Sequence, residues 1–296
     1  NWIRGHFIHH NKASYLVIPN LYSCDPANPK EAERGLAVNQ LAGVLSDQGF
    51  GIEGEGHSLM DARRAAGEEI WFELGDDDMA VCAARAEALA AGRPLTEAHA
   101  LATTAYDTGG AELLPMSDQP VRTVIETPVG ERGIQQFLIQ ERSAPAIDRV
   151  SFDGIEAARP TEQVLAAIES ADVIVIGPSN PAISIAPILA LPGLAEAMRR
   201  AKAPVLGVSP FVGGQVLKGP TAAFLQAAGC AATSAGSAAY YEQLFPDVID
   251  GWFADDPVPG HPHHLADVAM GDPATTREIA AELLRFGRSL TPVKAG

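Results

Sequence analysis

Residues 171–189 read "ADVIVIGPSNPAISIAPIL": an unbroken apolar run, then Gly-Pro-Ser-Asn-Pro, then a second apolar stretch. Val and Ile crowd the first run, as they do in strands buried on both faces. The Gly-Pro-Ser-Asn-Pro after it breaks the strand and leads into a helix. Strands of this kind alternating with helices make a parallel sheet covered on both sides, so this stretch sets the expected fold.

The same alternation runs outward along the chain. "YLVI" (15–18), "QQFLI" (135–139), "RVSF" (149–152) and "PVLGVS" (204–209) are short and β-rich, which predicts strands. The segments 78–91, 162–170, 193–202, 220–228 and 273–286 space apolar residues three and four apart, which predicts helices. Thr161 and Asp272 stand as helix N-caps, with Pro273 at a first helical position. The expected fold is α/β: a doubly wound, mostly parallel sheet with helices on both faces, Rossmann-like. Residues 1–40 differ in texture, with four aromatic residues and poor periodicity, and are set apart as a divergent N-terminal segment. Residues 41–296 form the α/β domain.

Composition narrows the partners. The chain has 296 residues, 47% of them apolar, enough to bury a sizeable core. A formal net charge of −16 argues against nucleic acid and anionic membrane surfaces, both of which require clustered Lys and Arg. A small molecule is the expected partner. Cys24, Cys82 and Cys230 lie far apart and suggest neither a disulfide framework nor a structural zinc site, so the cytoplasm is the expected compartment. No apolar run approaches the roughly 18–20 residues that span a bilayer. The chain begins with Asn rather than Met, as expected of a fragment or a processed product.

Four strand-end loops carry the candidate chemistry. In the opening stretch, Gly177 and Pro178 turn the chain, Ser179 and Asn180 offer short polar side chains, and the N–H groups that open the next helix suit an anion. Capping by Ser179 or Asn180 alone would explain the same residues. In "APVLGVSPFVGGQVLKGP" (203–220), Ser209 ends a strand, Gly213 and Gly214 break the chain, and Lys218 stands where it can meet a phosphate. "EIWFELGDDDMAVCAAR" (69–85) sets Asp76, Asp77 and Asp78 before a helix, either as dipole-favoured acids or as ligands for Mg²⁺. "AELLPMSDQPVRT" (111–123) adds Ser117, Asp118 and Arg122.

Taken in order, "WFELGDDDMA", "LTEAHA", "LLPMSDQPVRT", "QQFLI", "ADVIVIGPSNPAISIAPILALPG", "VLGVSPFVGGQVLKGP", "YYEQLFPDVIDGWFADD" and "ADVAM" resemble the 2-phospho-L-lactate transferase family. The resemblance covers roughly residues 41–288. It implies transfer of a phospho-three-carbon-acid group, phospholactyl or phosphoenolpyruvyl, from a guanylyl-activated donor to the deazaflavin Fo, with release of GMP, in coenzyme F-420 biosynthesis. It also implies Mg²⁺ as cofactor. On this reading Asp76 and Asp78 hold metal or Fo, and Asn180 joins them in the catalytic set. Gly177, Pro178, Ser179, Asn180, Ser209, Gly213, Gly214 and Lys218 bind the donor or acceptor. The oligomeric state, a homodimer among the options, is not legible.

The resemblance has gaps. Members of the family begin with a strand and a glycine-rich loop, followed soon by a Pro-Asp-Leu-Asp segment, and neither stands in residues 1–40. Within "LGDDDMAVC" the family commonly has Arg where Asp77 stands and His where Cys82 stands. A truncated or frame-shifted gene model and real divergence both account for the missing motifs. The alternative functions are a non-catalytic nucleotide- or flavin-binding regulator on the same fold, and an inactive truncated homologue. Two histidine groups, His6, His9 and His10, and His261, His263 and His264, fall in expected loops without metal-ligand spacing and are taken as solvent-exposed.

Overall fold

The computed structural model describes residues 7–10, 15–18, 58–69, 71, 76–104, 111–216, 219–269 and 273–292. Val173 and Val175 lie in one hydrophobic cluster, with Leu206, Val208, Phe253 and Leu283, while Ile174 and Ile176 lie in another, with Val205, Trp252 and Ala254. Successive residues of a strand point to opposite faces, so one strand feeding two cores is a strand buried on both sides.

The described strands are β1 Phe7–His10, β2 Tyr15–Ile18, β3 Ala111–Leu114, β4 Arg122–Thr127, β5 Gly130–Gly133, β6 Arg149–Asp153, β7 Val173–Ile176, β8 Val205–Val208, β9 Phe211–Val212, β10 Gln215–Val216, β11 Gly251–Ala254 and β12 His263–Leu265. Seven of them form one sheet in the order β12-β11-β8-β7-β2-β1-β3. Adjacent strands from β12 to β2 are parallel, with Phe253 opposite Val208, Ile174 opposite Val205 and Val17 opposite Val175. β1 is antiparallel to both β2 and β3. Two strands of the segment 1–40 are thus part of the main sheet.

The described helices are α1 Ser58–Ala65, α2 Asp76–Ala90, α3 Leu95–Ala102, α4 Glu162–Ser170, α5 Ala186–Leu189, α6 Leu194–Arg200, α7 Thr221–Ala227, α8 Ser234–Leu244 and α9 Pro273–Ser289. Thr161 caps α4 as expected, its hydroxyl accepting from Val164 N–H at 3.3 Å. Asp272 lies outside the described residues. α9 covers one face of the sheet closely: a Cβ added to Gly287 would stand 2.8 Å from Val173 Cγ1. Among the described residues no helix is long and apolar enough to cross a membrane. The apolar pair Pro181–Leu189 and Leu194–Arg200 is bent by 79° and contributes Ile183, Ile188, Leu194 and Met198 to the core.

Two expectations change. The "QQFLI" stretch is not a strand: Gln136–Gln140 is a π-helical turn, with Phe137 and Leu138 buried. Phe137 meets Phe224 of α7 edge to face at 5.8 Å. A short apolar run fits a buried helical turn as well as a strand, and packing against Phe224 decides between them. The antiparallel partners of β4 are instead β5 and β6, in a separate three-stranded sheet.

The histidines are also placed differently. His9 and His10 belong to β1 and not to a loop, and His6 lies outside the described residues. His263 and His264 both belong to edge strand β12 and not to a loop; His263 is exposed, whereas His264 is stacked on Phe253 at 5.5 Å and tilted against Phe286 at 5.3 Å. Its Nε2 bonds Glu282 Oε1 at 2.6 Å, so it helps dock α9. A flat ring with one polar tip can fill an apolar gap and keep a partner at its edge.

Candidate functional site

Parallel strands present their carboxyl ends at one edge of the sheet, and ligands bind in the crevice where the strand order reverses. The chain places β1 and β3 on one side of β2, then returns to set β7, β8, β11 and β12 on the other. The crevice therefore lies between β2 and β7, and the chain leaving β7 is Gly177–Asn180.

That turn is tight. Ser179 N–H donates to the Gly177 carbonyl at 2.7 Å, and Pro178 stands at the corner, where its fixed φ suits a three-residue turn. Asn180 is extended, at φ −62° and ψ 119°, and serves as an N-cap. Its Oδ1 accepts from Ala182 N–H at 2.9 Å and from Ile183 N–H at 3.3 Å. The capped element begins as the π-helical turn Pro181–Ile185 and continues as α5. The cap engages half of the amide. Asn180 Nδ2 is closed off from solvent and has no hydrogen-bond partner among the described residues. Such an orphaned donor costs about 1–3 kcal/mol, and an acceptor such as a phosphate oxygen would satisfy it.

At the next strand end the groups bond one another. Ser209 is completely buried. Its N–H donates to the Phe253 carbonyl at 2.9 Å, and its Oγ accepts from Phe211 N–H at 3.1 Å. Ser209 Oγ lies 2.5 Å from Ser234 Oγ, and the Ser234 hydroxyl donates to Asp256 Oδ1. With the Ser234 proton committed to Asp256, Ser209 is the donor to Ser234. Ser209 therefore holds the loop, and its hydroxyl is occupied by protein. Gly213 and Gly214, at φ +59° and +73°, form the turn between β9 and β10, a conformation that L side chains resist. Gly213 N–H donates to Asp255 Oδ2, tying this turn to the end of β11.

Asp118 is an internal latch. Its Oδ1 accepts from both the N–H and the hydroxyl of Thr96, at 2.7 and 2.8 Å, and so fixes the start of α3. Ser117 and Gln119 bond one another, and Gln119 Oε1 also accepts from Arg159 N–H at 3.0 Å. On α3, burial and then the Arg85 charge push the His99 pKa down to about 3. Asp76 and Asp78 open α2 in the backbone trace. Lys218 lies outside the described residues. The structure thus gathers Gly177–Asn180, Ser209, Gly213 and Gly214 along one sheet edge.

Three residues of this edge escaped the sequence reading: Ser234, Asp255 and Asp256. The available signal was "GWFADD" (251–256), a short apolar run ending in acids. Its lack of β-branched residues hid the strand.

A family model described as 2-phospho-L-lactate transferase CofD matches residues 56–268. A phosphoenolpyruvate transferase of Kitasatospora aureofaciens is 37% identical over 218 residues, 72% of this chain and 67% of that protein. A 2-phospho-L-lactate transferase of Halobacterium salinarum is 38% identical over 218 residues, covering 74% and 63%. A phosphoenolpyruvate transferase of Mycobacterium avium is 34% identical over 262 residues, covering 84% and 77%. A crystal structure of a UPF0052-family protein from Bacillus halodurans matches with a TM-score of 0.51 at 15% identity, covering 72% of this chain and 73% of that one, a likeness of fold.

Proposed function

The chain belongs to the 2-phospho-L-lactate transferase family, enzymes of coenzyme F-420 biosynthesis, and we propose that it moves a phospholactyl or phosphoenolpyruvyl group from a guanylyl-activated donor to Fo. The terminal ribityl hydroxyl of Fo attacks the phosphorus that carries the three-carbon acid. A new O–P bond forms, the bridging P–O bond to GMP breaks, the hydroxyl proton is released, and a phosphodiester remains. Such a transfer depends on donors aimed at the phosphoryl oxygens in a water-poor site.

The supporting observation is Asn180. Its Oδ1 is fixed by two backbone N–H groups, so the amide cannot rotate freely, and its unpartnered Nδ2 sits beside the reversal crevice. Gly177, Pro178 and Ser179 shape that turn. Ser209, Gly213 and Gly214 shape the neighbouring one, and Lys218 is the cation assigned to the nucleotide side.

Mg²⁺, when bound, offsets charge on the phosphorus under attack. Among the described residues no three or more of His, Cys, Asp and Glu converge. Mg²⁺ needs only one or two carboxylates, with water and phosphate oxygens completing its shell. Asp76 and Asp78, at the start of α2, are the candidates, and because residues two apart on a helix do not face each other, one of the two would hold it. The reading places the protein in the cytoplasm, acting on small molecules and not on nucleic acid or membrane, with a homodimer among the assemblies open to it.

The test is turnover with purified chain, Fo, an enzymatically generated guanylyl-activated donor and Mg²⁺, following deazaflavin products by chromatography and fluorescence. Phosphodiester and GMP should appear together. A folded, soluble chain that binds Fo and forms no product would overturn the assignment.

A further inference from the structure

Asp255 is held from one side only. Its Oδ2 receives the Gly213 N–H, while its Oδ1 is sealed from solvent with no donor in reach among the described residues. Neither Asp255 nor Asp256 joins an ion pair among the described residues. A buried carboxylate oxygen without a donor is more costly than a neutral group in the same place, and it is well explained where a ligand completes it.

The surroundings hold this carboxylate in place. The Gly213–Gly214 turn fixes one oxygen. Asp256, the next residue, is anchored through Ser234 to Ser209, and both serines are completely buried.

Charge decides what the open oxygen meets. Two adjacent carboxylates repel phosphate, so the phosphates of a nucleotide belong nearer the neutral Asn180 amide. β11 lies two strands from β7, about 10 Å at the usual strand spacing. A nucleotide laid across these strand ends with its phosphates at Asn180 brings its nucleoside to Asp255.

We infer that Asp255 Oδ1 accepts a hydrogen bond from the nucleoside half of the donor, either the 2-amino group of the base or a ribose hydroxyl, and so selects the nucleotide. Ser234 is a positioning residue, acting through Asp256. This rests on the transferase reading above.

The test is calorimetric binding of GDP to the full chain, in Mg²⁺ and again in EDTA, with Fo binding measured in parallel. Asp255→Asn retains an acceptor for Gly213 and turns a donor toward the ligand. It should weaken GDP at least tenfold in both conditions and leave Fo unchanged. Ser234→Ala should raise KM for the guanylyl donor several-fold at constant kcat and constant KM for Fo. On the wild-type chain, IDP lacks the 2-amino donor and 2′- and 3′-deoxy-GDP each lack a ribose hydroxyl. The analogue that loses affinity identifies the group, and Asp255→Asn should no longer discriminate against it.

Equal binding of GDP and all three analogues by the wild type overturns the inference without reference to any variant. So does a loss in Asp255→Asn that disappears in EDTA, which would make the oxygen a metal ligand. If the wild type binds neither GDP nor Fo, the transferase reading itself fails. If it binds both and Asp255→Asn binds GDP equally well, only this inference fails.

Discussion

The loops that leave β3 and β7 look alike in sequence, "PMSDQP" (115–120) and "GPSNP" (177–181), yet they distribute their polar atoms differently. After β3, Asp118 takes two hydrogens from Thr96, and Gln119 answers Ser117 and Arg159. After β7, Asn180 commits its Oδ1 to a cap and leaves Nδ2 buried without an acceptor among the described residues. A short polar residue between prolines at a strand end can be a latch or a ligand contact. Its composition does not separate the two roles, but the partner of each polar atom does.

If the β3 loop is a latch, the region around it should govern stability and not ligand affinity. The largest effect should be acid lability through His99 on the latched helix. Its folded pKa of about 3 lies below the usual unfolded value near 6.5. The unfolded chain takes up a proton there that the folded chain refuses. The stability is therefore full above pH 6.5 and falls as the pH drops from 6.5 toward 3, by up to roughly 5 kcal/mol across that window. Urea unfolding at pH 7 and pH 4 measures the loss, and His99→Gln should flatten the slope. An unchanged slope would remove His99 from the account.

Next in size is Asp118→Ala, which removes the one acceptor shared by the Thr96 N–H and hydroxyl and should lower unfolding free energy by about 2–3 kcal/mol, with affinity for Fo and GDP retained where the chain is folded. A loss of affinity without a loss of stability would make Asp118 a ligand contact and erase the contrast. Smallest is the stability cost of Asn180→Ala, about 1 kcal/mol for a lost N-cap. A much larger cost would mean that this loop too is mainly structural.

The legibility of the chain follows the same division. β7, β8, α4 and α6 were readable because Val and Ile runs and helical spacing are local signals, and β2 coincides with "YLVI". The π-helical turn at Gln136–Gln140 was not, because its state depends on Phe224, far along the chain. β11 was missed because its two strand-favouring residues, Trp252 and Phe253, stand between Gly251 and Ala254, which disfavour strands, and Trp252 belongs there because Gly207 on β8 leaves room for its ring. In the site, Asn180 was legible as a cap, but the Nδ2 that the cap leaves open was not. Ser209 was legible as a strand-end serine, whereas its occupation by Ser234 and Asp256 joins residues up to 47 positions apart.

The most direct measurement is the turnover and the unfolding free energy of Asn180→Asp, side by side. The substitution keeps the Oδ1 that caps Ala182 and Ile183 and exchanges only the Nδ2 donor for an oxygen. The prediction is an unfolding free energy lower by about 1–3 kcal/mol, because a carboxylate oxygen without a donor replaces a neutral amide in a place closed to solvent, with turnover of the folded protein reduced about a hundredfold or more, equivalent to about 2.7 kcal/mol. Undiminished turnover of the folded protein would contradict the account, because the atom left open after β7 would then have no part in holding the transferred group.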